Sequence, residues 1–449
     1  MEARKLRLWV GWTLALVAVS VILATGQTSK RKYPDRIPVR FWHRWQADWE
    51  VQVNKIVDAF NESQEKYEVI PLSTPSGGSD AKFIMGVIGG DPPDVMSIWN
   101  GAIPNLASNN FLTDLETLMT PEERKTYRED AFPNIRQSGM YKGKVYGVTI
   151  GSDVYGLYVN AKLFRAAGLD PDKDFPKTYE DLVELGMKLT KFDKNGNITH
   201  LGFQAHSLDY TSHTFGGGFY IQDDGTVVIN TPQNLKTLKT IVDMRKRLGF
   251  DRVNRYQAGL NTGAGAASWP FMEGDLTITF DGMWRVEELR KFRPDMDYRV
   301  YPLPPPREGG TPLGGNVSGN FMIIPTSAKH KAGAWEFVKF WSGLDDPNRA
   351  AKFYNMGGWL PLTPQVVNSP NYQAWLNQNP QYKVFLSILS SPNCAPMSQV
   401  AYLQFMNDAI GRAEDQASRG QKTPEQALID LEKAVKDEIA KRKALGYED

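Results

Sequence analysis

The chain has 449 residues, of which 41% are hydrophobic and 23% are charged, the composition of a folded globular protein and not of a disordered one. Its formal net charge of +1 gives no sign of the basic surface of a nucleic-acid binder, so we expect no nucleic-acid partner. Cys394 is the single cysteine, which excludes an internal disulfide and a cysteine-based metal site. We expect neither a metal nor a cofactor, and the length favours two lobes over one compact domain.

The first 26 residues have the order of a signal peptide. Basic residues precede an apolar run at 8–24, and small residues follow at Ala24 and Gly26. The run is long for a signal and short for a membrane span, so the alternative is an uncleaved membrane anchor. Either outcome predicts that the chain from about residue 30 onward lies outside the cytoplasmic membrane.

Strands and helices alternate in the first part of the mature chain. Strands are predicted at 39–42, 67–72 and 94–99, and helices at 51–60 and 81–88. This alternation is typical of a parallel sheet with helices on both faces. Ligands bind such sheets beyond the carboxyl ends of the strands, where Trp42, His43 and Trp99 fall.

The middle of the chain continues with a strand at 157–159 and a helix at 178–189. Thr178 is a suitable N-cap for that helix. The oxygen-rich segment 193–197 resembles part of a calcium loop, but it lacks the sixth-position glycine and the distal glutamate. We therefore predict a hairpin turn there.

In the last third, residues 298–306 are predicted to form a strand and then a proline-rich connection. A further strand is predicted at 321–325, and helices at 332–341 and 423–443. The pattern of the last helix places four residues inward: Ala427, Leu431, Ala434 and Ile439.

Several enzyme motifs do not occur in the sequence. It contains no phosphate-binding G-x-x-x-x-G-K-[ST] loop, no H-E-x-x-H metal motif and no G-x-S-x-G nucleophile elbow. A secreted glycan-cleaving enzyme needs a facing pair of carboxylates, which sequence alone does not locate. Binding is therefore the better interpretation, and we expect no enzymatic activity.

Tryptophan is the distinctive residue of this chain, with 12 copies. Trp42, Trp45 and Trp49 cluster near the start, and Trp284 and Trp359 lie where elements are predicted to end. Rigid aromatic faces pack against the C–H faces of sugar rings with little loss of entropy. The alternative role for each of them is packing in the core.

Four groups of motifs resemble one family when their order and spacing are taken together. They are GGDPPDV at 89–95; YGV at 146–148 followed by YVNAKLFRAAGL at 158–169; FMEGDL at 271–276 followed by GMW at 282–284; and AWEFVKF at 334–340. They are similar to the extracellular solute-binding proteins of ABC importers, of the type that binds maltose, other oligosaccharides and related solutes. Thr149 stands where that family usually has proline.

The resemblance implies the α/β, two-lobe periplasmic-binding-protein fold with a central ligand cleft. Three crossovers between the lobes are expected near 148–152, 301–303 and 340–343. The N-terminal lobe would then comprise 36–148 and 302–340, and the C-terminal lobe 152–301 and 343–449.

The resemblance also implies ten ligand-binding residues. They are Trp42, His43, Asp80, Trp99, Asp153, Tyr155, Trp284, Gly315, Asn316 and Trp359. For Asp80 and Asn316, the alternative role is turn formation.

The function implied is that of a monomeric, extracytoplasmic receptor that delivers a carbohydrate to the permease subunits of an ABC importer. A same-fold receptor for glycerol phosphate or a polyamine is the alternative, and Arg44 and Arg285 beside candidate aromatics keep the phosphate option open. A secreted glycan-active enzyme is a further alternative, and signalling through a membrane sensor is compatible with transport.

Overall fold

The computed structural model describes residues 31–74, 79–221, 226–260 and 268–447. The predicted signal or anchor segment 1–26 lies outside these residues. None of the helices within the described ranges is long and apolar enough to span a membrane.

The strands are β1 Ile37–His43, β2 Tyr67–Ser73, β3 Val95–Trp99, β4 Met140–Tyr141, β5 Lys144–Val145, β6 Val148–Asp153, β7 Tyr155–Asn160, β8 Lys191–Phe192, β9 Ile198–His200, β10 Tyr220–Ile221, β11 Val227–Val228, β12 Ile278–Gly282, β13 Tyr298–Tyr301, β14 Gly315–Ile323 and β15 Cys394–Pro396. The helices are α1 Asp48–Ser63, α2 Ser79–Ile88, α3 Ile103–Ser108, α4 Pro121–Lys125, α5 Pro133–Ser138, α6 Ala161–Ala166, α7 Tyr179–Leu189, α8 Leu208–Thr211, α9 Pro232–Leu248, α10 Phe250–Gly259, α11 Pro270–Glu273, α12 Arg285–Phe292, α13 Lys331–Ser342, α14 Pro347–Gly357, α15 Pro364–Val367, α16 Pro370–Gln378, α17 Tyr382–Leu389, α18 Leu403–Ser418 and α19 Pro424–Ala444.

The first sheet has six strands in the order β15-β14-β3-β1-β2, with β6 also paired to β14. β1 runs parallel to β2 and β3, as the strand–helix alternation predicts. β14 runs antiparallel to both β3 and β6, which makes the sheet mixed and not wholly parallel. The N-terminal part of the chain thus builds the parallel half, and a strand from much later in the sequence completes the sheet.

The second sheet has three strands in the order β12-β7-β13, and both of its pairings are antiparallel. β6 belongs to the first sheet and β7 to the second, so the chain passes between the sheets across Val154. It returns between β13 and β14, through residues 302–314. The predicted first crossover, 148–152, lies within β6 just before this passage, and the second begins where β13 ends.

Two hydrophobic cores accompany the sheets. In the first, the ring of Phe337 on α13 lies 5.1 Å from that of Phe41 on β1 and 5.2 Å from that of Phe60 on α1. The second is built around α7, α9, α18 and α19, with Leu238 and Leu428 fully buried. Burial of each such side chain stabilises the fold by about 1.5–3 kcal/mol.

The last part of the chain contributes to both cores. Phe353, Trp359 and Tyr382 belong to the first core, and β15 pairs with β14 of the first sheet. Met406 on α18 and Leu431 on α19 belong to the second core. The first core also includes Tyr158 of the second sheet, so core membership does not separate two bodies. The lobe boundaries therefore stay predictions, including the third crossover near 340–343.

Most predicted elements form with shifted ends. The predicted hairpin turn at 193–197 is confirmed: β8 pairs with β9, and the Asp193 carboxylate accepts hydrogen bonds from the backbone N–H groups of Asn195 and Asn197, both at 2.8 Å. β14 begins at residue 315 and not at 321.

In α19 the buried residues are Ala427, Leu428, Leu431 and Val435. Ile439 is partly buried and packs against the second core, as predicted, and Ala434 is partly buried.

Candidate functional site

A cavity of about 730 Å³ opens at the ends of strands from both sheets. Its walls come from the segment after β1, the first turns of α1 and α2, the last residues of β3 and β6, and the first residue of β7. β14 and the segments that follow β12 and α14 complete them. The lining residues are Arg44, Trp45, Gln46, Trp49, Asp80, Trp99, Asp153, Tyr155, Trp284, Ser318, Asn320 and Trp359. The position at the carboxyl ends of β1 and β3 is the one expected for a ligand site in this kind of sheet.

Strand register brings the polar side chains of the cavity together. β14 lies between β3 and β6, so Ser318 is opposite Asp153 and Asn320 is opposite Trp99. Residues two apart on a strand face the same side, which places Ser318 and Asn320 on one face of β14. A hydroxyl, an amide and a carboxylate therefore line the same part of the wall.

One side of the cavity is a cluster of tryptophan rings. The ring of Trp359 lies 5.4 Å from that of Trp45 and 5.9 Å from that of Trp49. Trp45 also stacks on Trp341 of α13 at 5.9 Å, with an interplanar angle of 19°. Trp359 is only 3% exposed, whereas Trp45 and Trp49 are partly exposed. The cluster thus joins the first core to the cavity surface.

A second aromatic group comes from the second sheet. Trp284 meets Tyr155 edge-on, with ring centroids 5.5 Å apart. Tyr155 stacks on Phe280 at 5.8 Å, and its hydroxyl accepts a hydrogen bond from the hydroxyl of Tyr210 at 3.3 Å. These contacts fix the Tyr155 ring, so that the cavity has rigid aromatic surfaces from two different sheets.

The charges of the cavity nearly cancel. Arg44 is the cation of the lining, and Asp80 and Asp153 are its two carboxylates. Burial between the strands raises the pKa of Asp153 to about 7, and the positive charge of Arg44 offsets part of that rise. Near neutral pH the lining is therefore between neutral and singly negative, without a surplus of positive charge.

Arg285 was the second arginine considered as a possible phosphate-binding residue, but its guanidinium binds two carboxylates of the protein. Its guanidinium donates to Asp281 at 2.9 Å and to Glu288 at 2.6 Å. The same group lies 4.6 Å from the centre of the Trp269 ring. Its charge is thus matched by two carboxylates, the partly buried Asp281 and the buried Glu288.

The sequence profile of the bacterial extracellular solute-binding proteins matches residues 55–381. This chain belongs to that family. Among curated relatives of this solute-binding protein, the sn-glycerol-3-phosphate-binding periplasmic protein of Yersinia enterocolitica is 22% identical over 413 residues, which cover 87% of this chain and 89% of the relative. Its Escherichia coli K12 counterpart is 21% identical over 409 residues, which cover 87% and 90%.

Solved structures of solute-binding proteins superimpose on nearly the whole chain. CpMnBP1 with mannotriose bound has a TM-score of 0.75 at 25% identity, covering 89% of this chain and all of that one. The cyclic α-maltosyl-1,6-maltose binding protein of Arthrobacter globiformis has a TM-score of 0.72 at 20% identity, with coverages of 89% and 98%. The predicted two-lobe fold and the role as a solute receptor of an ABC importer are confirmed.

Six of the ten predicted ligand-binding residues of this solute-binding protein line the cavity. They are Asp80, Trp99, Asp153, Tyr155, Trp284 and Trp359. Their role in binding stays a prediction, but the fold brings all six into one place.

The other four predicted residues lie elsewhere. β1 extends to residue 43, so Trp42 and His43 lie within the strand; His43 is fully buried, 5.2 Å from the ring of Phe41. Burial lowers the pKa of His43 to about 4, which keeps the imidazole neutral. Gly315 and Asn316 do not form a turn: they begin β14 and pair with β15.

Six lining residues are not among the ten predicted ones: Arg44, Trp45, Gln46, Trp49, Ser318 and Asn320. Of these, the sequence itself indicates Trp45 and Trp49 as possible sugar-stacking residues and Arg44 as a possible phosphate ligand. Arg44, Trp45 and Gln46 follow directly after β1, and Trp49 lies in the first turn of α1. A correct end for β1 would have indicated this segment in place of Trp42 and His43. Ser318 and Asn320 reach the cavity through pairing with strands more than 150 residues earlier, which leaves no local signal.

The titration of Asp153 gives this solute-binding protein a predicted pH dependence. The pKa of Asp153 is about 7 in the folded protein and about 3.9 in an unfolded chain. Between these values the folded state holds a proton that the unfolded state has released, so this group lowers stability as pH rises from about 4 to about 7. We therefore expect Asp153→Asn to stabilise the protein more at pH 8 than at pH 4, as measured by urea unfolding.

Ser318→Ala is the matched control, since it alters the residue opposite Asp153 without changing a titrating group. Its effect on the free energy of unfolding should be the same at both pH values. An effect of Asp153→Asn that is equally independent of pH would contradict the assignment.

Proposed function

We propose that this protein binds an uncharged mono- or oligosaccharide in the cavity and delivers it to the permease subunits of an ABC importer. The observation that carries the proposal is a cavity with aromatic surfaces from both sheets and almost no net charge. Sugar rings offer apolar C–H faces to such aromatics, and their hydroxyls match Gln46, Ser318 and Asn320.

The charge balance argues against the anionic alternative named by the curated relatives. A phosphate monoester carries nearly two negative charges at neutral pH and is bound through arginines, lysines or helix N-termini. Arg44 is the cation among the described lining residues, and Asp80 and Asp153 oppose it. At 21–22% identity, the ligand of those relatives does not decide the ligand here.

A polyamine is also disfavoured. Cations are held by several ionised carboxylates together with aromatic faces. Asp153 lies near its protonation midpoint at neutral pH, and the positive Arg44 acts on it. The mannotriose bound by CpMnBP1, which is 25% identical to this chain, supports the carbohydrate proposal instead.

The remaining parts of the proposal concern the oligomeric state, the cellular location and the absence of catalysis. We propose a monomer that works outside the cytoplasmic membrane and binds its solute without turnover. The family is extracellular, and the curated relatives are periplasmic binding proteins, which supports this location and a binding role.

A thermal-shift panel tests the proposal. We expect mono- or oligosaccharides, but neither sn-glycerol 3-phosphate nor spermidine, to raise the melting temperature. A ligand at a hundred times its dissociation constant stabilises a protein by about 2.7 kcal/mol. The stabilising sugar should also be recovered intact by chromatography after prolonged incubation.

The outcomes separate the alternatives. A shift with sn-glycerol 3-phosphate or spermidine alone would favour the same-fold receptor for a charged solute. Cleavage of the sugar with turnover, abolished by Asp153→Asn or by a substitution of Asp80, would favour the glycan-active enzyme.

A further inference from the structure

Three tryptophan rings of the cavity lie over a glycine two residues away in the chain. A β-carbon built on Gly101 would fall 2.1 Å from Cζ3 of Trp99. On Gly282 it would fall 1.9 Å from Cζ3 of Trp284, and on Gly357 it would fall 2.3 Å from Cδ2 of Trp359. Carbon atoms in contact are about 3.5–4.0 Å apart, so each indole occupies space that any other residue would fill with its side chain.

The closest overlap is with the indole at all three sites. At each of these three glycines, the three atoms nearest to the added β-carbon all belong to the neighbouring tryptophan. At Gly282 they are Cζ3, Cη2 and Cε3 of Trp284, the benzene half of the ring. None of the three glycines has a positive φ angle, so alanine is compatible with the backbone conformation at all of them.

We propose that Gly101, Gly282 and Gly357 are positioning residues of the solute site. By lacking a side chain, each allows an indole to lie against the backbone. Trp99 and Trp284 are partly exposed at the cavity. Trp359, in contrast, is only 3% exposed, and its ring supports those of Trp45 and Trp49. The identity of the ligand rests on the proposed function, but the positioning of the rings does not.

The backbone at Gly282 is held in place, so the ring and not the strand must yield to an added methyl group. The carbonyl of Gly282 accepts a hydrogen bond from the Tyr158 hydroxyl at 2.7 Å, and its N–H donates to Asp281 at 2.8 Å. Gly282 also pairs with Tyr155 of β7. Trp284 is partly exposed, so its ring can move toward the cavity without opening the core.

Gly101 offers the same arrangement on the other sheet. It lies in a short 3₁₀ turn, Asn100–Ala102, directly after β3. The side-chain oxygen of Asn100 accepts a hydrogen bond from the N–H of Gly319 at 3.1 Å, which ties this turn to β14. The ring of Trp99 is thus set by a turn that is itself anchored to the sheet.

The functional consequence is preorganisation. A ring with one allowed position loses little entropy when a sugar packs against it. A ring displaced by a methyl group keeps its size and hydrophobicity but no longer stands where the ligand needs it. Glycine at these positions therefore contributes to affinity without contacting the solute.

The test compares Gly282→Ala with Gly411→Ala. Gly411 lies in α18, has no positive φ, and an added β-carbon there meets no atom within 4 Å. We expect Gly282→Ala to weaken binding of the stabilising sugar at least tenfold in calorimetry, and Gly411→Ala to leave it unchanged.

A double variant distinguishes positioning from general disturbance. Phenylalanine lacks Cζ3 and Cη2, the two indole atoms that lie nearest to the added β-carbon. Gly282→Ala should therefore cause no further loss of affinity when it is added to Trp284→Phe. Such non-additivity is the expected signature of two residues that act through one contact. Additive losses would contradict the proposal.

A ligand-free measurement keeps this inference separate from the proposed function. In protein labelled with 5-fluorotryptophan, Trp284→Phe identifies the ¹⁹F resonance of Trp284. Gly282→Ala should shift that resonance and Gly411→Ala should not. If the resonance shifts but no sugar binds the wild-type protein, the proposed function fails and the positioning of the ring stands.

Two results would overturn the inference. One is an unshifted Trp284 resonance in folded Gly282→Ala protein, and the other is a shifted resonance with unchanged sugar affinity. If Gly282→Ala does not fold, Gly101→Ala with Trp99→Phe supplies the same comparison on the first sheet, with the same outcomes.

Discussion

Trp359→Ala should lower the free energy of unfolding by about 3–5 kcal/mol, the range for removal of a large buried aromatic side chain. Trp359 is only 3% exposed, and its ring lies 5.4 Å from Trp45, 5.8 Å from Trp341 and 5.9 Å from Trp49. It packs against the backbone of Gly357 on α14 and of Gly151 on β6, where no side chain is available to fill the space it would leave. Urea unfolding followed by circular dichroism measures the change.

Trp284→Ala is the matched control for that substitution. Trp284 also lines the cavity, but it is partly exposed and lies outside the tryptophan cluster. It should therefore lower sugar affinity with a smaller loss of stability. If the free energy of unfolding fell by less than about 1 kcal/mol in both variants, Trp359 would not contribute to the first core as its packing indicates.

The fold was predictable because its signals are local and ordered along the chain. The alternation of strands and helices between residues 37 and 99 gave the parallel half of the first sheet, and the four motif groups gave the family. The antiparallel strand β14 was not predictable in register, because its partners β3 and β6 lie far away in sequence. Only its last part was recognised as a strand.

The site was predictable where a residue follows an element end that the sequence marks clearly. Trp99 and Trp284 are of this kind. The end of β1 was placed one residue too early, so His43 was expected beyond the strand, whereas it is the last residue of the strand and is buried. Ala47 adds a second obstacle: its φ of 51° turns the chain into α1, and alanine gives no sign of such a conformation.

A sequence motif can locate a glycine of the site without explaining why glycine is needed there. The sequence Gly282-Met283-Trp284 was recognisable as a pattern, but the pattern does not say why glycine is required. The structure supplies the reason, because the ring of Trp284 occupies the place of the missing side chain. Gly357 and Trp359 have the same order as Gly282 and Trp284, but the order is reversed at Trp99 and Gly101, so a search for this pattern would not find Gly101.

Addition of a saturating sugar should reduce the radius of gyration of the protein in solution X-ray scattering. The polar wall formed by Asp153, Ser318 and Asn320 belongs to the first sheet, whereas Tyr155 and Trp284 come from the second. A sugar that contacts both sets binds the closed arrangement better than the open one and shifts the population toward it. The chain joins the sheets across Val154 and through 302–314, so a rotation of one sheet relative to the other would have to be absorbed at these two connections.

The change in the radius of gyration depends on how far the sugar shifts the protein from the open to the closed arrangement. Conversion of a 1:99 mixture to 99:1 requires about 5.5 kcal/mol of differential affinity between the two arrangements. Aromatic contacts contribute about 0.5–1.5 kcal/mol each beyond the area they bury, so several rings together with hydrogen bonds from both sheets reach this value. Trp284→Ala removes one contact from the second sheet only, and it should leave a larger open fraction at the same sugar occupancy. Scattering curves that superimpose with and without a sugar proven to bind would show a rigid receptor, and the importer would then have to recognise the loaded form by something other than closure.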